Sequence, residues 1–576
     1  GLDFTFNPVV GGKGANSAAG NTVLGETALD AAVTGTNNTA IGKDALTVLT
    51  SGTQNTAIGS ASSDAITTGS SNTAVGRLSL SSNISGNQNT AIGKQALEDN
   101  TANNNTAVGD RAGSENTSGT QNTFLGAVSG RYNTTASNNT GIGYNSLGQN
   151  TTGTQNVAVG SLALSTITSG ANNVAVGYDA MGDTTTGVQN VAIGKDTLGK
   201  NTTGGYNTAV GQNAMRDHTT GNYNTVVGQD ALRFNTTTSN HVAIGYGALG
   251  VNTSGVNNVA VGSTALDANT TGDRHVAVGI GALGNNTTGI RSTAVGASAL
   301  SGNTTADYNV AMGYAALQSN TTGTQNVAVG SLTLDANTTA DYNTAVGYEA
   351  LTDNTTGFRN TAVGRRALYL NTTGSRNVSI GYATLLNNTT GENNIAIGYD
   401  ALEATTTASN NTAVGAYALE DNTTGNGNTA VGKSALTSLT TAHSNCALGD
   451  QAGEATTTGN SNVAIGDEAL KTNTTGANNV GIGNDALKLA TTSSDNTAIG
   501  AVSLAANTTG HSNVAVGKEA LTANVGGQEN VAVGHQALYS NLNASYNIAI
   551  GPSAMYSVAG TAGNNIAIGR NSLYTN

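Results

Sequence analysis

The sequence predicts an all-β protein, a parallel β-solenoid (β-roll) of about 33 turns of 17 residues. Three observations lead there. A unit readable as Asn-Thr-Ala-Val-Gly-x-x-Ala-Leu-x-x-Asn-Thr-Thr-Gly-x-x recurs along nearly the whole chain, and self-similarity at a fixed period is the signature of a stacked repeat. Within the repeats, Asp, Glu, Lys and Arg fall only at unit positions 6, 7, 10, 11, 16 and 17, counted from the first Asn. Finally, apolar residues make up 37% of the chain, with five Phe and no Trp, which is too little for the thick core of ordinary domains.

The register is set by the glycine closing the first motif. It recurs at Gly25, Gly42, Gly59, Gly76 and Gly93, then from Gly109 every 17 residues to Gly551. One unit is a residue short before Gly109 and one is a residue long before Gly569. Residues 1–20, with Phe4, Phe6 and Pro8, read as an N-terminal cap or junction, and 21–576 as one continuous array.

Each column of the unit carries a physical expectation. Position 4 (Val346, Ile397, Met312) and position 9 (Leu351, Met215, Leu402) are the expected core, with Ser63, Gly113, Gly130 and Gly453 as exceptions at position 9. Position 2, Thr or Val/Ile, shares the face of position 4 because strand side chains alternate, and should be half-buried. Asn at positions 1 and 12 should form hydrogen-bonded ladders at corners, where Asn tolerates a left-handed backbone. Glycines at positions 5 and 15 supply further corners of positive φ. The Asn-Thr-Ala-Val-Gly piece reads as a short parallel strand, and Gly-x-x-Ala-Leu as a second strand or a tight turn.

Position 3 is mostly Ala (Ala158, Ala345, Ala362, Ala549) and never charged. By alternation from position 4 it should point away from the coil's core, and its small size then implies a neighbouring chain packed against it. The competing explanation is a monomer in which position 3 packs on its own second sheet.

Asn-Val-Ala-Ile-Gly at Asn190 to Gly194 and Asn-Ile-Ala-Ile-Gly at Asn547 to Gly551 resemble the Ser-Val-Ala-Ile-Gly signature of trimeric autotransporter adhesin heads. The longer form, as in Gly347 to Gly357, is similar to shaft repeats of phage tail fibres and bacterial surface fibres. The resemblance implies parallel β-rolls associated as a homotrimer along the fibre axis. It departs from those heads in its longer unit, and the chain has no heptad stalk, membrane-anchor barrel or chaperone domain.

Function follows as an expectation: a structural or adhesive fibre, extracellular, on a cell surface or on a virion appendage, whose shaft or head meets a host-cell glycan or receptor. The alternatives are a glycan-active β-helix enzyme and an ice-binding solenoid. The net charge of −13 is thinly spread and forms no basic patch, so nucleic acid is not an expected partner. No apolar stretch is long enough to span a bilayer, and a chain starting at Gly1 without an anchor reads as a processed product or a piece of something longer. Cys446 stands alone, which excludes an intrachain disulfide.

The six histidines scatter over the grid, with His218 at position 12, His241 and His275 at position 1, and His443, His511 and His535 at positions 16 and 6. They read as ladder or surface substitutions. No catalytic residue, cofactor or metal ligand is therefore expected, and the chain reads as a non-enzyme. Asn-Thr-Thr triplets such as Asn201-Thr202-Thr203 match the glycosylation sequon but equally suit a corner. An ice-binding face would need Thr-x-Thr on a flat strand, whereas Thr at position 2 is followed by an apolar position 4. Tyrosines at positions 17 and 6, namely Tyr308 with Tyr314 and Tyr342 with Tyr348, are the candidate glycan contacts, since exposed aromatic rings beside polar groups pack on sugars.

Overall fold

The computed structural model describes residues 18–557 and 562–575. Phe4, Phe6 and Pro8, with most of the expected N-terminal cap, lie outside them. The chain forms two compact units, Gly1–Gly289 and Ile290–Asn576. Each is a parallel β-solenoid, and the described residues contain no helix.

In the first unit sixteen three-residue strands run from β1 (Thr22–Leu24) to β16 (Val276–Val278). The second holds seventeen, from β17 (Thr293–Val295) to β33 (Ile566–Ile568). Within each unit every strand pairs in parallel with the next and in the same register, as in Thr344↔Thr361, Ala345↔Ala362 and Val346↔Val363. The 16-residue unit keeps this register, with Thr90 opposite Thr106, so the missing residue is absorbed outside the strand.

The Gly-x-x-Ala-Leu piece is a turn. It is held by Ala350 N–H donating to Gly347 O (3.3 Å) and by Leu351 N–H donating to Ala367 O of the next coil (2.9 Å). Left-handed backbone recurs at positions 17, 7 and 9, as in Tyr342 (φ 62°), Glu349 (φ 54°) and Leu351 (φ 55°). The Asn columns do not use it. A buried leucine in that region is sterically costly and persists only where the surroundings over-determine it. Gly347 at position 5 has φ 136°, and a Cβ there would lie 2.4 Å from Gly364 O of the next coil. Gly357 at position 15 has no positive φ, so crowding against Gly374 O, not torsion, favours glycine there.

The strand phase is the reverse of the expected one. From Ala40 to Ala567 every residue at position 3 is buried, while positions 2 and 4 face outward and are at most half-buried. The core consists of position 3, the Ala-Leu pair at positions 8 and 9, and the two Asn columns. Alternation was right, but the choice of face was not. A coil of 17 residues encloses too narrow a space for Val or Ile along every strand, and the interior amides take the place of a second apolar row.

Exceptions in the sequence verify this packing. Phe124, the one aromatic at position 3, fills space left by Gly113 and Gly130 at position 9, where a Cβ would lie 2.8 Å and 2.2 Å from its ring. Ser379 at position 3 meets Thr384 at position 8, its Oγ donating to Thr384 O at 2.9 Å.

Both Asn columns are ladders. Asn360 N–H donates to Asn343 Oδ1 (2.9 Å), and Asn377 N–H to Asn360 Oδ1 (2.9 Å). At position 12 the side chains bond directly, Asn371 Nδ2 to Asn354 Oδ1 at 2.8 Å. Asn343 Nδ2 and Asn354 Nδ2 also converge on Gly357 O, each at 2.9 Å, which ties strand to turn inside the coil. Buried amides left unpaired would each cost about 1–3 kcal/mol, so satisfaction along both ladders is required.

The inverted phase removes the basis on which position 3 was expected to contact another chain. Ala345→Arg would place a guanidinium in the closed interior and should destroy the surrounding coils, costing several kcal/mol. Val346→Arg, one residue on and facing out, should shift the thermal midpoint little. Equal midpoints for the two variants would refute the assigned face.

Candidate functional site

Because the coils stack in register, each outward column is a row of side chains about 4.8 Å apart. Charge sits in these rows, and where a base stands beside an acid the two pair. At positions 7 and 10 of the coils around Glu468, acid and base alternate: Lys471 Nζ lies 2.6 Å from Glu468 and Lys488 Nζ 2.9 Å from Asp485, and Lys488 also pairs with Glu468. These partners pull the Glu468 carboxyl down to about 2 and push Lys488 up to about 12.

At the same positions four coils earlier every charge is negative. Asp400 at position 7 and Glu403 and Glu420 at position 10 are half-buried, and one carboxylate oxygen from each lies within 4.8 Å of one from each of the others. They stand on the turns that follow β23 (Ile395–Ile397) and β24 (Thr412–Val414). Among the described residues none of the three has a basic partner. Burial, reinforced for Glu403 by Asp400 and Asp421 and for Glu420 by Asp421 and Asp400, raises their proton affinity above the ordinary carboxylate range. The trio offers three hard oxygen ligands of the kind calcium or magnesium takes. It equally places three carboxyl groups of raised proton affinity side by side, the raw material of acid–base catalysis.

This cluster overturns the expectation of a non-enzyme without catalytic or metal-binding groups. In the sequence each of the three residues falls on an outward column, and nothing in the column pattern shows which columns adjoin. Positions 7 and 10 meet across the turn, and acids at both positions of one unit followed by an acid at position 10 of the next were the available signal.

Beside the trio runs a tyrosine ladder. Tyr382 and Tyr399 stack with ring centroids 5.3 Å apart and planes at 10°, and Tyr417 meets Tyr399 edge-on at 5.4 Å. Asp400 raises the Tyr399 phenol and bonds to it. The four tyrosines singled out from sequence are all exposed, two turns apart within each column. The structure joins them to arginines: Tyr308 accepts from Arg291 (2.5 Å), Tyr342 lies under Arg359 and Tyr348 under Arg365.

The histidines behave as ladder members. His241 N–H donates to Asn224 Oδ1 (3.0 Å), and burial, with some help from His218, lowers its imidazole to about 4 against a weaker opposing pull from Asp273. His218 bonds Asn235 and Gly221, and His275 N–H continues the column to Asn258 Oδ1. Cys446 is half-buried on the outward face. No protein-family model matches the chain, and no curated protein matches it in sequence.

Raised carboxyl pKa values mean that the folded state holds protons the unfolded chain has lost. Stability should therefore fall as pH rises from the ordinary carboxylate range through the raised values. Glu403→Gln should raise the thermal midpoint at pH 7 by roughly 1–2 °C and change nothing at pH 3. A variant less stable than wild type at pH 7 in chelator would contradict this account of the trio.

Proposed function

We propose that the chain is a glycan-active β-solenoid in which Asp400, Glu403 and Glu420 act on a sugar chain lying along the adjoining Tyr382, Tyr399 and Tyr417 ladder. β-Solenoids serve as scaffolds both for structural fibres and for glycan-active enzymes. The observation that favours the second use is the carboxyl trio within 4.8 Å, none of whose members has a basic partner among the described residues. Glycoside hydrolysis needs one protonated and one ionised carboxyl group, and separations of about 5–5.5 Å suit the retaining route. Repulsion within the trio supports that division, since ionising one carboxyl holds the proton on its neighbour.

A second reading, an adhesive extracellular or virion fibre, draws on the uniformity of the described turns and on the adhesin-like motif at Asn190 to Gly194. In a homotrimer of such chains the contact would involve the outward side chains at positions 2 and 4. Position 3 is spent inside the coil.

Incubation of the protein with neutral and acidic polysaccharides, followed by assay of new reducing ends, tests the first reading. Turnover is expected for wild type, with a loss of roughly 100-fold or more in Glu403→Gln or Glu420→Gln. Glu529→Gln, in a distant coil, should leave it unchanged. Absence of turnover across the panel would return the fibre reading to first place.

A further inference from the structure

Basic residues are scarce, 21 Lys and Arg in 576 residues, yet Arg359, Arg365, Arg366 and Arg376 fall within 18 positions. In-register stacking arranges them with the aromatic residues. Position 6 reads Tyr348, Arg365, Tyr382, Tyr399 in four successive coils, and position 17 reads Tyr342, Arg359, Arg376 in three. The two rows border the outward face of β20 (Thr344–Val346), β21 (Thr361–Val363) and β22 (Val378–Ile380). That face carries only Thr, Val and Ile.

The guanidinium groups are held by rings. Arg365 Cζ sits 6.0 Å from the Tyr348 centroid and 5.8 Å from that of Tyr382. Arg359 lies 5.7 Å from both Tyr342 and Phe358, and Arg376 lies 5.1 Å from Phe358. Arg366 is committed to Glu349 at 2.7 Å, and Arg376 lies 3.6 Å from Glu392. Arg359 and Arg365 are exposed and have no ion-pair partner among the described residues. Without an ion-pair partner, the two guanidinium groups keep their N–H donors for a ligand, and the guanidinium fork binds carboxylate or sulfate in bidentate fashion.

The same stacking argues against a neutral sugar. Ring faces of Tyr382 and Tyr399 are turned towards each other, so what they offer outward is edges and hydroxyls, not a platform for C–H groups. A row of phenol and guanidinium donors suits a chain of anionic acceptors. The rise per coil, about 4.8 Å, is close to the length of one pyranose unit.

We infer that the ligand of this surface is an anionic polysaccharide, laid along successive coils with its carboxylate or sulfate groups on Arg359 and Arg365. This rests on the glycan reading of the adjoining trio and names its substrate class. Net charge at the trio is negative, so the arginine row sets where the polymer's charged groups lie.

The test compares retention of polygalacturonate, dextran sulfate and neutral dextran by the full chain in affinity electrophoresis at low and physiological salt. Polygalacturonate or dextran sulfate should bind, neutral dextran should not, and which acid binds more tightly tells carboxylate from sulfate preference. The double variant Arg359→Gln/Arg365→Gln should lose at least tenfold in affinity with an unchanged thermal midpoint, while Lys518→Gln, at position 6 of a distant coil, should bind as wild type. Equal binding of neutral dextran, wild-type affinity in the double variant, or tighter binding of single-stranded DNA of matched charge would each overturn the inference. Glu403→Gln separates the two proposals. Arginine-dependent retention without any turnover removes the catalytic reading and keeps the anionic surface, whereas turnover whose KM ignores Arg359 and Arg365 does the reverse.

Discussion

The stack depends on one constraint: where a coil carries both asparagines, their amides are closed off from water and are satisfied by their own coil and by the coils above and below. Asn343 and Asn354 share the Gly357 carbonyl within their own unit and pass their remaining hydrogen bonds along the stack. A coil of different shape would leave buried donors unpaired on both sides, so the unit varies freely outward, and inward only where a neighbouring position compensates. The apolar part of the interior is correspondingly thin, an alanine against an Ala-Leu pair, and the backbone accepts left-handed leucines to deliver it.

Periodicity, the parallel strand, the two ladders and the outward placement of charge were all legible in the sequence, because each is a statement about columns. What was misread was the phase of a three-residue strand. Alternation permits two faces, and choosing by hydrophobicity put valine inside and alanine outside. The covarying exceptions carry the correct answer: Phe124 can occupy position 3 only because Gly113 and Gly130 vacate position 9, and a residue that needs room inside must itself point inside. Likewise the left-handed corners fall at positions 7 and 17, whose residue types are too mixed to announce them, and at position 9, whose leucines argue against such a backbone.

The candidate site was less legible for a related reason. A single chain read in one dimension shows Asp400, Glu403 and Glu420 as three unremarkable surface acids. Their encounter depends on a turn that brings positions 7 and 10 together and on a rise that brings Glu420 beside Glu403. The tyrosines were noticed as a type, but their partners were not, since the stacking of Arg365 between Tyr348 and Tyr382 joins residues 17 apart.

In-register stacking has a genetic corollary. A ligand that covers several coils contacts one letter from each of several consecutive units, so its recognition sequence is written across the repeats and not within any of them. Unequal exchange between neighbouring repeats in the coding DNA would insert or remove whole coils, leave both amide ladders closed, and reorder the letters presented on the outside. Such a surface can change its specificity by recombination alone, without a single substitution in the interior.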